Sequence, residues 1–172
     1  MVLAEKLECL WSIAAHEHPI TSVAHVPQSQ SMMFLTASQD FLVKAWVTED
    51  DGSMPTQLAN LVGHTDSVCS VAVSPSGTRC CSVGWDEQIR IWPCGQSLIE
   101  AEEEIKDVPK KQKREAFTPP PAKEINPLGQ LNGHMGCISD VIWPRKHSLF
   151  TGGWDHTVRK WDIQSGSVTE TL

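Results

Sequence analysis

Apolar and polar residues alternate along many short stretches of the chain, and turn-forming residues separate one stretch from the next. In one example, a polar turn around Asp86 leads into residues 89–92, which have the pattern of a half-buried strand with one apolar face. Helical periodicity is absent from these regions. The pattern predicts an all-β protein with strands at 7–15, 20–26, 33–38, 42–47, 57–62, 68–74, 80–83, 89–92, 128–131, 138–143, 149–152, 158–161 and 167–172.

One of these stretches recurs with a fixed internal spacing. A tryptophan follows an aspartate by six residues in the segments 40–46, 86–92 and 155–161. Such recurrence indicates an array of one supersecondary unit. We predict three repeats and the start of a further strand, with approximate bounds of 7–50, 57–96, 126–164 and 165–172.

The segment between the second and third repeats differs in composition. It contains an acidic run at 100–104, a basic run at 110–114 and three prolines at 119–121. Blocks of like charge and proline bury too little apolar surface to offset the chain entropy lost on folding. We therefore predict that residues 97–125 are a disordered insertion in one loop, between the third and fourth strands of their unit.

The basic run within this insertion is a candidate nuclear import signal, formed by Lys110, Lys111, Lys113 and Arg114. A solvated run of linker charge is the alternative, and RNA contact through the same side chains is a third interpretation. The net charge of −7 argues against a generally nucleic-acid-binding surface and leaves room for a local basic patch.

Each repeat also supplies a histidine, a hydroxyl, an aspartate and a tryptophan. An indole N–H only donates, hydroxyl and neutral imidazole groups both donate and accept, and a carboxylate accepts. A chain of hydrogen bonds from tryptophan through hydroxyl and imidazole to carboxylate would therefore satisfy every group and brace a sheet internally. The predicted structural braces are His16, Thr36, Asp40 and Trp46; His64, Ser82, Asp86 and Trp92; and His134, Thr151, Asp155 and Trp161.

A nucleophilic Ser82, with His64 as base and Asp86 behind it, is the enzymatic alternative. It is less favoured because the same set occurs three times and two copies have threonine. The sequence indicates no cofactor, metal site, small-molecule substrate or membrane span. Its start lacks the features of a secretory signal, and reduced, mostly buried thiols are expected for Cys9, Cys69, Cys80, Cys81, Cys94 and Cys137.

At the brace residues the sequence resembles the WD-repeat β-propeller family, in which a repeat has a Gly-His turn and a strand that ends in Trp-Asp. The matches are Gly63-His64, Gly133-His134 and Trp161-Asp162, and the departures are Ala15, Val47 and Pro93. The resemblance implies four-stranded antiparallel blades, about three of them, from an incomplete seven-bladed ring. It also places Gln39, Trp85 and Trp154 on an exposed rim as candidate partner-binding residues. The alternative is a structural role in which the indoles cover neighbouring loops.

A closer resemblance is to a WD-repeat subunit of the Pescadillo-containing (PeBoW) complex, which assembles the large ribosomal subunit. The basic insertion and the segments 131–143 and 154–162 carry it. It implies a non-enzymatic scaffold in large-subunit rRNA maturation, located in the nucleus, nucleolus and nucleoplasm. The implied partners are a Pescadillo-type protein, a second WD-repeat subunit and pre-ribosomes, with rRNA nearby.

In the subunit that this chain resembles, a ubiquitin-like domain that binds a large AAA ATPase precedes a propeller of seven repeats. The three repeats here are therefore expected to be an internal piece of a longer propeller. The alternative function is an adaptor of another complex, such as a ubiquitin-ligase substrate receptor or a signalling scaffold.

Overall fold

The structure, a computed structural model, describes residues 9–29, 31–49, 52–98 and 122–172. In these ranges the chain forms strands β1 (Ile20–Val26), β2 (Met32–Ser38), β3 (Val43–Thr48), β4 (Thr56–Leu61), β5 (Val68–Val73), β6 (Arg79–Gly84), β7 (Ile89–Pro93), β8 (Lys123–Ile125), β9 (Gly129–Leu131), β10 (Ile138–Arg145), β11 (Ser148–Gly153), β12 (Val158–Asp162) and β13 (Ser167–Thr171). The described part contains no helix long and apolar enough to cross a membrane.

The strands form three sheets, which we call the first, second and third blades. Their strand orders are β1-β2-β3-β4-β8, β5-β6-β7-β9 and β10-β11-β12-β13. Neighbouring strands are antiparallel, as in the β2–β3 pair, except that β8 runs parallel to β4. The prediction of four-stranded antiparallel blades in an incomplete propeller is confirmed, and β8 adds a fifth, parallel strand at the edge of the first blade.

The blades pack side by side through their first strands, with β5 between β1 and β10. Hydroxyl groups link these strands: Thr21 Oγ1 donates to the Val68 carbonyl at 2.7 Å, and Ser70 Oγ donates to Asp140 Oδ1 at 2.7 Å. One apolar core lies between the first and second blades, and another lies between the second and third. Apolar burial on both faces of the second blade therefore holds the three sheets in one array.

The predicted strand at 7–15 differs from the structure, because residues 9–15 do not form a strand. Strands β4 and β9 each end three residues before a brace histidine, and each pairs with the third strand of the same blade. Ile13 lies three residues before His16, so a strand that ends there would be the fourth strand of a blade preceding the first blade. The described residues contain no such blade, and Leu10 is accordingly 77% exposed.

The insertion also differs at its two ends from the prediction of disorder over 97–125. Leu98 is buried in the core between the first and second blades, and Lys123–Ile125 form β8 on the outer edge of β4. The edge of β4 presents backbone groups that this added strand can pair with. The structure places the insertion between β7 and β9, the third and fourth strands of the second blade. Residues 99–121 lie outside the described residues.

Candidate functional site

The first blade brings its four brace residues into one chain of hydrogen bonds. Trp46 Nε1 donates to Thr36 Oγ1 at 2.9 Å, and Thr36 Oγ1 lies 2.7 Å from His16 Nε2. His16 Nδ1 lies 2.8 Å from Asp40 Oδ2. The hydroxyl accepts a hydrogen bond from the indole N–H and can donate one to Nε2. The imidazole therefore carries its proton on Nδ1 and donates a hydrogen bond to the carboxylate.

The second and third blades repeat this geometry. In the second blade, the three successive distances from tryptophan to hydroxyl to imidazole to carboxylate are 2.8, 2.7 and 2.8 Å, and in the third they are each 2.8 Å. The residues involved are Trp92, Ser82, His64 and Asp86, and then Trp161, Thr151, His134 and Asp155. The structure therefore brings together all three sets of residues that the spacing predicted.

Each member of a brace comes from a different element of its blade. In the second blade, the hydroxyl is on β6, the tryptophan is on the neighbouring β7, and the aspartate lies in the turn that joins these strands. The histidine lies in the loop before β5. The brace thus ties one turn and one loop to the middle of the sheet, which explains why the histidine-to-aspartate spacing varies while the other two spacings are fixed.

The aspartate also organises the backbone of its turn. In the second blade, Asp86 Oδ1 accepts the N–H of Gln88 at 3.2 Å, and Asp86 Oδ2 accepts the N–H of Thr65 at 3.3 Å. The following residue, Glu87, has a φ of 61°, and Phe41 and His156 have similar left-handed values in the other blades. Left-handed backbone is unfavourable for side chains of this kind, so the carboxylate hydrogen bonds stabilise a strained turn.

In the first blade, electrostatics favour a neutral imidazole at His16 beside an ionised Asp40. Burial lowers the pKa of His16 below its ordinary 6.5, although the hydrogen bond and the charge of Asp40 oppose that effect. Burial raises the pKa of Asp40, but hydrogen bonds from His16 and from the N–H of Leu42 outweigh it and hold the pKa below its usual value. A similar balance lowers the pKa of Asp86 and of Asp155.

A basic residue accompanies each brace, and the sequence pattern did not lead us to predict this residue. It follows the aspartate by four residues, at Lys44, Arg90 and Arg159. Lys44 Nζ donates to the carbonyl of Ala15 at 2.8 Å, and the Nη2 atoms of Arg90 and Arg159 lie 3.4 Å from their brace carboxylates. The constant spacing of four residues between the aspartate and the basic residue could have revealed it. It was not distinctive, because every second residue of an alternating strand is expected to be polar.

The second brace has the residue types of a hydrolase triad, but its serine is not accessible to a substrate. Ser82 is fully buried, His64 is 7% exposed, and the Ser82 hydroxyl already accepts the Trp92 indole proton. A nucleophile needs an approach path for substrate, and a hydroxyl with no exposed surface offers none. Across the described residues, no three histidine, cysteine, aspartate or glutamate side chains are grouped to hold a metal ion.

The cysteines in the structure are free thiols. Cys80, Cys81, Cys94 and Cys137 are buried, whereas Cys69 is partly exposed and Cys9 is exposed. Burial is the main cause that raises the pKa of Cys137 to about 12. A buried thiol with a raised pKa, such as that of Cys137, is typical of a packing role rather than of nucleophilic chemistry.

The rim residues Trp85 and Trp154 contact each other across the second and third blades. Their ring centroids are 4.8 Å apart with an interplanar angle of 63°, an edge-to-face arrangement. Trp85 is 47% exposed and Trp154 is 61% exposed, so much of each indole remains in solvent. Gln39 is exposed at the equivalent position of the first blade. The basic residues Lys110, Lys111, Lys113 and Arg114 lie outside the described residues.

Four-stranded blades, each closed by an internal tryptophan–hydroxyl–histidine–aspartate brace, define a WD-repeat β-propeller architecture. Residues 7–46, 55–93 and 125–162 match the family described as WD domain, G-beta repeat. The chain belongs to this family, as the sequence predicted.

Several curated relatives carry the name Ribosome biogenesis protein WDR12 homolog. The one from Chlamydomonas reinhardtii is 39% identical over 171 residues, which is 96% of this chain and 38% of the relative. The one from Oryza sativa subsp. japonica is 32% identical and covers 94% of this chain and 38% of the relative. The one from Nematostella vectensis is 31% identical, with 95% and 40% covered. The chain thus spans less than half the length of these relatives.

Proposed function

We propose that the chain is a non-enzymatic scaffold for protein interactions in ribosome biogenesis, acting in large-subunit rRNA maturation and assembly of the large ribosomal subunit. The names of its relatives support this process. Enclosure of the brace groups within the blades supports a structural role for them rather than a catalytic one. Because the relatives are longer, the proposal concerns the surface that these three blades contribute to a larger protein.

The observation that carries the scaffold role is the exposed pair formed by Trp85 and Trp154. The two rings lie in equivalent turns of neighbouring blades, directly before a brace aspartate. Those aspartates hold the turns in place through backbone hydrogen bonds, so the pair is presented on a rigid rim. Large, pre-positioned aromatic surfaces are typical anchors of protein interfaces. Gln39 extends the same rim onto the first blade.

The proposed partners are a Pescadillo-type protein, a second WD-repeat subunit and pre-ribosomal particles, with rRNA close by. The proposed location is the nucleus, with the nucleolus and nucleoplasm as its compartments. The sequence resemblance and the names of the relatives support these assignments. The proposed import signal at Lys110, Lys111, Lys113 and Arg114 would deliver the protein there.

Affinity purification of the epitope-tagged chain from eukaryotic cells, with mass spectrometry and RNA sequencing, tests the proposal. We expect enrichment of the proposed partners and of large-subunit rRNA precursors. The variant that combines Trp85→Ala with Trp154→Ala should lose at least one protein partner. Met54→Ala is the matched control, because Met54 is 62% exposed but lies in the connection between β3 and β4, away from the rim.

Two results would contradict the proposal in different ways. Enrichment of cullin-type ligase subunits or signalling proteins, without pre-ribosomal components, would contradict the role in ribosome biogenesis. Full retention of every partner by the double tryptophan variant would contradict docking on this rim.

A further inference from the structure

A cleft on the opposite face of the propeller has the charge of a binding site. The turns between the first and second strands lie at the other end of the blades from the brace aspartates. Between the second and third blades, this end opens into a cleft of about 510 Å³. Arg79 in the second blade and Lys146 and His147 in the third blade line it, together with the hydroxyls of Ser76 and Thr78.

Two of the basic side chains of this cleft, Arg79 and Lys146, lack acidic partners in the described part of the chain. Arg79 and Lys146 form no ion pair there, in contrast to Arg90, Arg159 and Lys160. Asp162 lies close by in sequence, but its Oδ1 atom accepts the N–H groups of Gln164 and Ser165 at 2.7 and 3.0 Å. This carboxylate is engaged mainly by its own turn, and His147 also helps to lower its pKa. Arg79 and Lys146 are therefore the cationic groups that remain available to a ligand.

A buried hydrogen-bond donor without an acceptor lies beside the cleft. Trp143 lines the cleft and is 6% exposed, and its Nε1 atom has no hydrogen-bond partner among the described residues. The brace tryptophans, by contrast, all donate to a hydroxyl. Because this N–H is buried in the core, the Trp143 indole reports on the cleft that its ring lines rather than supplying an exposed donor.

The charge is specific to this cleft rather than a consequence of the repeat. An equivalent cleft of about 250 Å³ lies between the first and second blades, where Pro27, Gln28 and Ser29 face Ser76 and Thr78. None of the residues that line it is charged. The same blade geometry thus accommodates a neutral cleft, and the basic groups are a property of the second one.

We infer that the cleft lined by Arg79, Lys146, His147 and Trp143 binds an acidic peptide segment of a partner protein. Arginine and lysine can donate charge-assisted hydrogen bonds to carboxylates, and the recess suits a projecting acidic side chain. RNA is less favoured, because its backbone needs an extended basic path and the chain has a net charge of −7. This site is separate from the tryptophan rim and does not depend on the proposed role in ribosome biogenesis.

Fluorescence anisotropy with the full 172-residue chain tests the inference. The probe is a short labelled peptide of glutamate and glycine, and a peptide of glutamine and glycine is the neutral control. Only the acidic peptide should bind, and added salt should weaken it. Combining Arg79→Ala with Lys146→Ala should lower the affinity by about tenfold or more. Arg145→Ala is the matched control, because Arg145 is exposed next to Lys146 but does not line the cleft, and it should change the affinity by less than about twofold.

A second readout locates the peptide. In ¹H–¹⁵N NMR spectra, the indole resonance of Trp143, assigned with Trp143→Phe, should shift on titration with the acidic peptide. The double variant must keep the wild-type melting temperature, which the exposure of Arg79 and Lys146 makes the expected result. Unchanged affinity in the double variant, an indole resonance that does not move, or a single-stranded RNA that binds more tightly at the same site would overturn the inference.

Discussion

Ser82 accepts a hydrogen bond from the indole of Trp92 at 2.8 Å, and its Oγ lies 2.7 Å from His64 Nε2. Both contacts are buried, and Ser82 itself has no exposed surface. One hydroxyl therefore satisfies a buried donor on the neighbouring strand and a buried acceptor from a loop. Substitution at this position therefore affects two buried hydrogen bonds at once.

Replacing Ser82 by alanine should leave the indole N–H of Trp92 and the imidazole Nε2 of His64 without partners. Unpaired buried polar groups of this kind cost about 1–3 kcal/mol each in the free energy of unfolding. We expect the Ser82→Ala variant to be destabilised by at least the lower of these values, as measured by urea denaturation followed by tryptophan fluorescence.

The control for that prediction comes from the other blades, where threonine occupies the same brace position at Thr36 and Thr151. Ser82→Thr keeps the hydroxyl and should destabilise the protein less than Ser82→Ala. Ser76→Ala removes an exposed hydroxyl and should change stability little. An equal loss in Ser82→Thr and Ser82→Ala would show that packing, and not the hydrogen bonds, sets the effect.

The sequence was sufficient to predict the braces, because the hydroxyl, the aspartate and the tryptophan lie on two paired strands and the turn between them, at fixed spacings. Trp92 and Ser82, for example, lie on paired strands joined by one tight turn, so their separation cannot vary. It was not sufficient to predict β8, because three residues beside a charged and proline-rich run carry no periodic signal. Their structure depends on the edge of β4, a partner distant in sequence. The strand predicted at 7–15 failed for the complementary reason, since its pattern fits a strand but no described sheet pairs with it.

Acidification should destabilise the first blade in two stages. The pKa of His16 is lower in the folded protein than its ordinary 6.5, so the unfolded chain binds more protons, and stability falls as the pH drops below about 6.5. The pKa of Asp40 is also lowered, so a second loss begins below its ordinary 3.8 and continues until the folded carboxylate is protonated. Urea denaturation across this pH range measures both stages.

The variant that isolates the first stage is His16→Gln. Glutamine does not titrate, so stability should be lower than in the wild type at neutral pH but should change less between neutral pH and pH values just below 6.5. The second stage should persist, because the aspartates of the other two braces also have lowered pKa values. If the free energy of unfolding of His16→Gln changed with pH near 6 as steeply as that of the wild type, the first stage would belong to other groups.

The edge-to-face contact between Trp85 and Trp154 should couple the second and third blades. Aromatic pairs of this geometry contribute about 0.5–1.5 kcal/mol beyond their area burial. A double-mutant cycle with Trp85→Ala and Trp154→Ala, followed by chemical denaturation, should give a coupling energy of this size. The corresponding cycle of Trp85→Ala with Met54→Ala should give none, because Met54 lies away from the rim in the connection between β3 and β4. Additive single effects at Trp85 and Trp154 would contradict an energetic link between the blades.

Strand β8 should protect the outer edge of β4 from solvent. The carbonyl of Ile125 accepts the N–H of Val62 at 2.9 Å, and the Ile125 side chain packs against the core between the first two blades. Ile125→Asp places a charge against that core and should cost about 1–3 kcal/mol. Hydrogen exchange at the Val62 amide should become faster. Glu124→Ala changes an exposed side chain in the same strand and should leave the exchange rate unchanged, so acceleration in both variants would argue against side-chain anchoring of β8.

Residues 97–125 should direct a reporter to the nucleus, if the basic cluster acts as an import signal. Import receptors recognise clustered lysine and arginine side chains, so a fusion too large to diffuse through nuclear pores should accumulate in the nucleus. Replacing Lys110, Lys111, Lys113 and Arg114 by glutamine should abolish this accumulation. Replacing the glutamates of the acidic run at 100–104 by glutamine is the matched control, because it changes the same number of charges and leaves the basic cluster intact. Nuclear accumulation that survives loss of the basic residues would favour the alternative of a solvated linker, with import determined elsewhere.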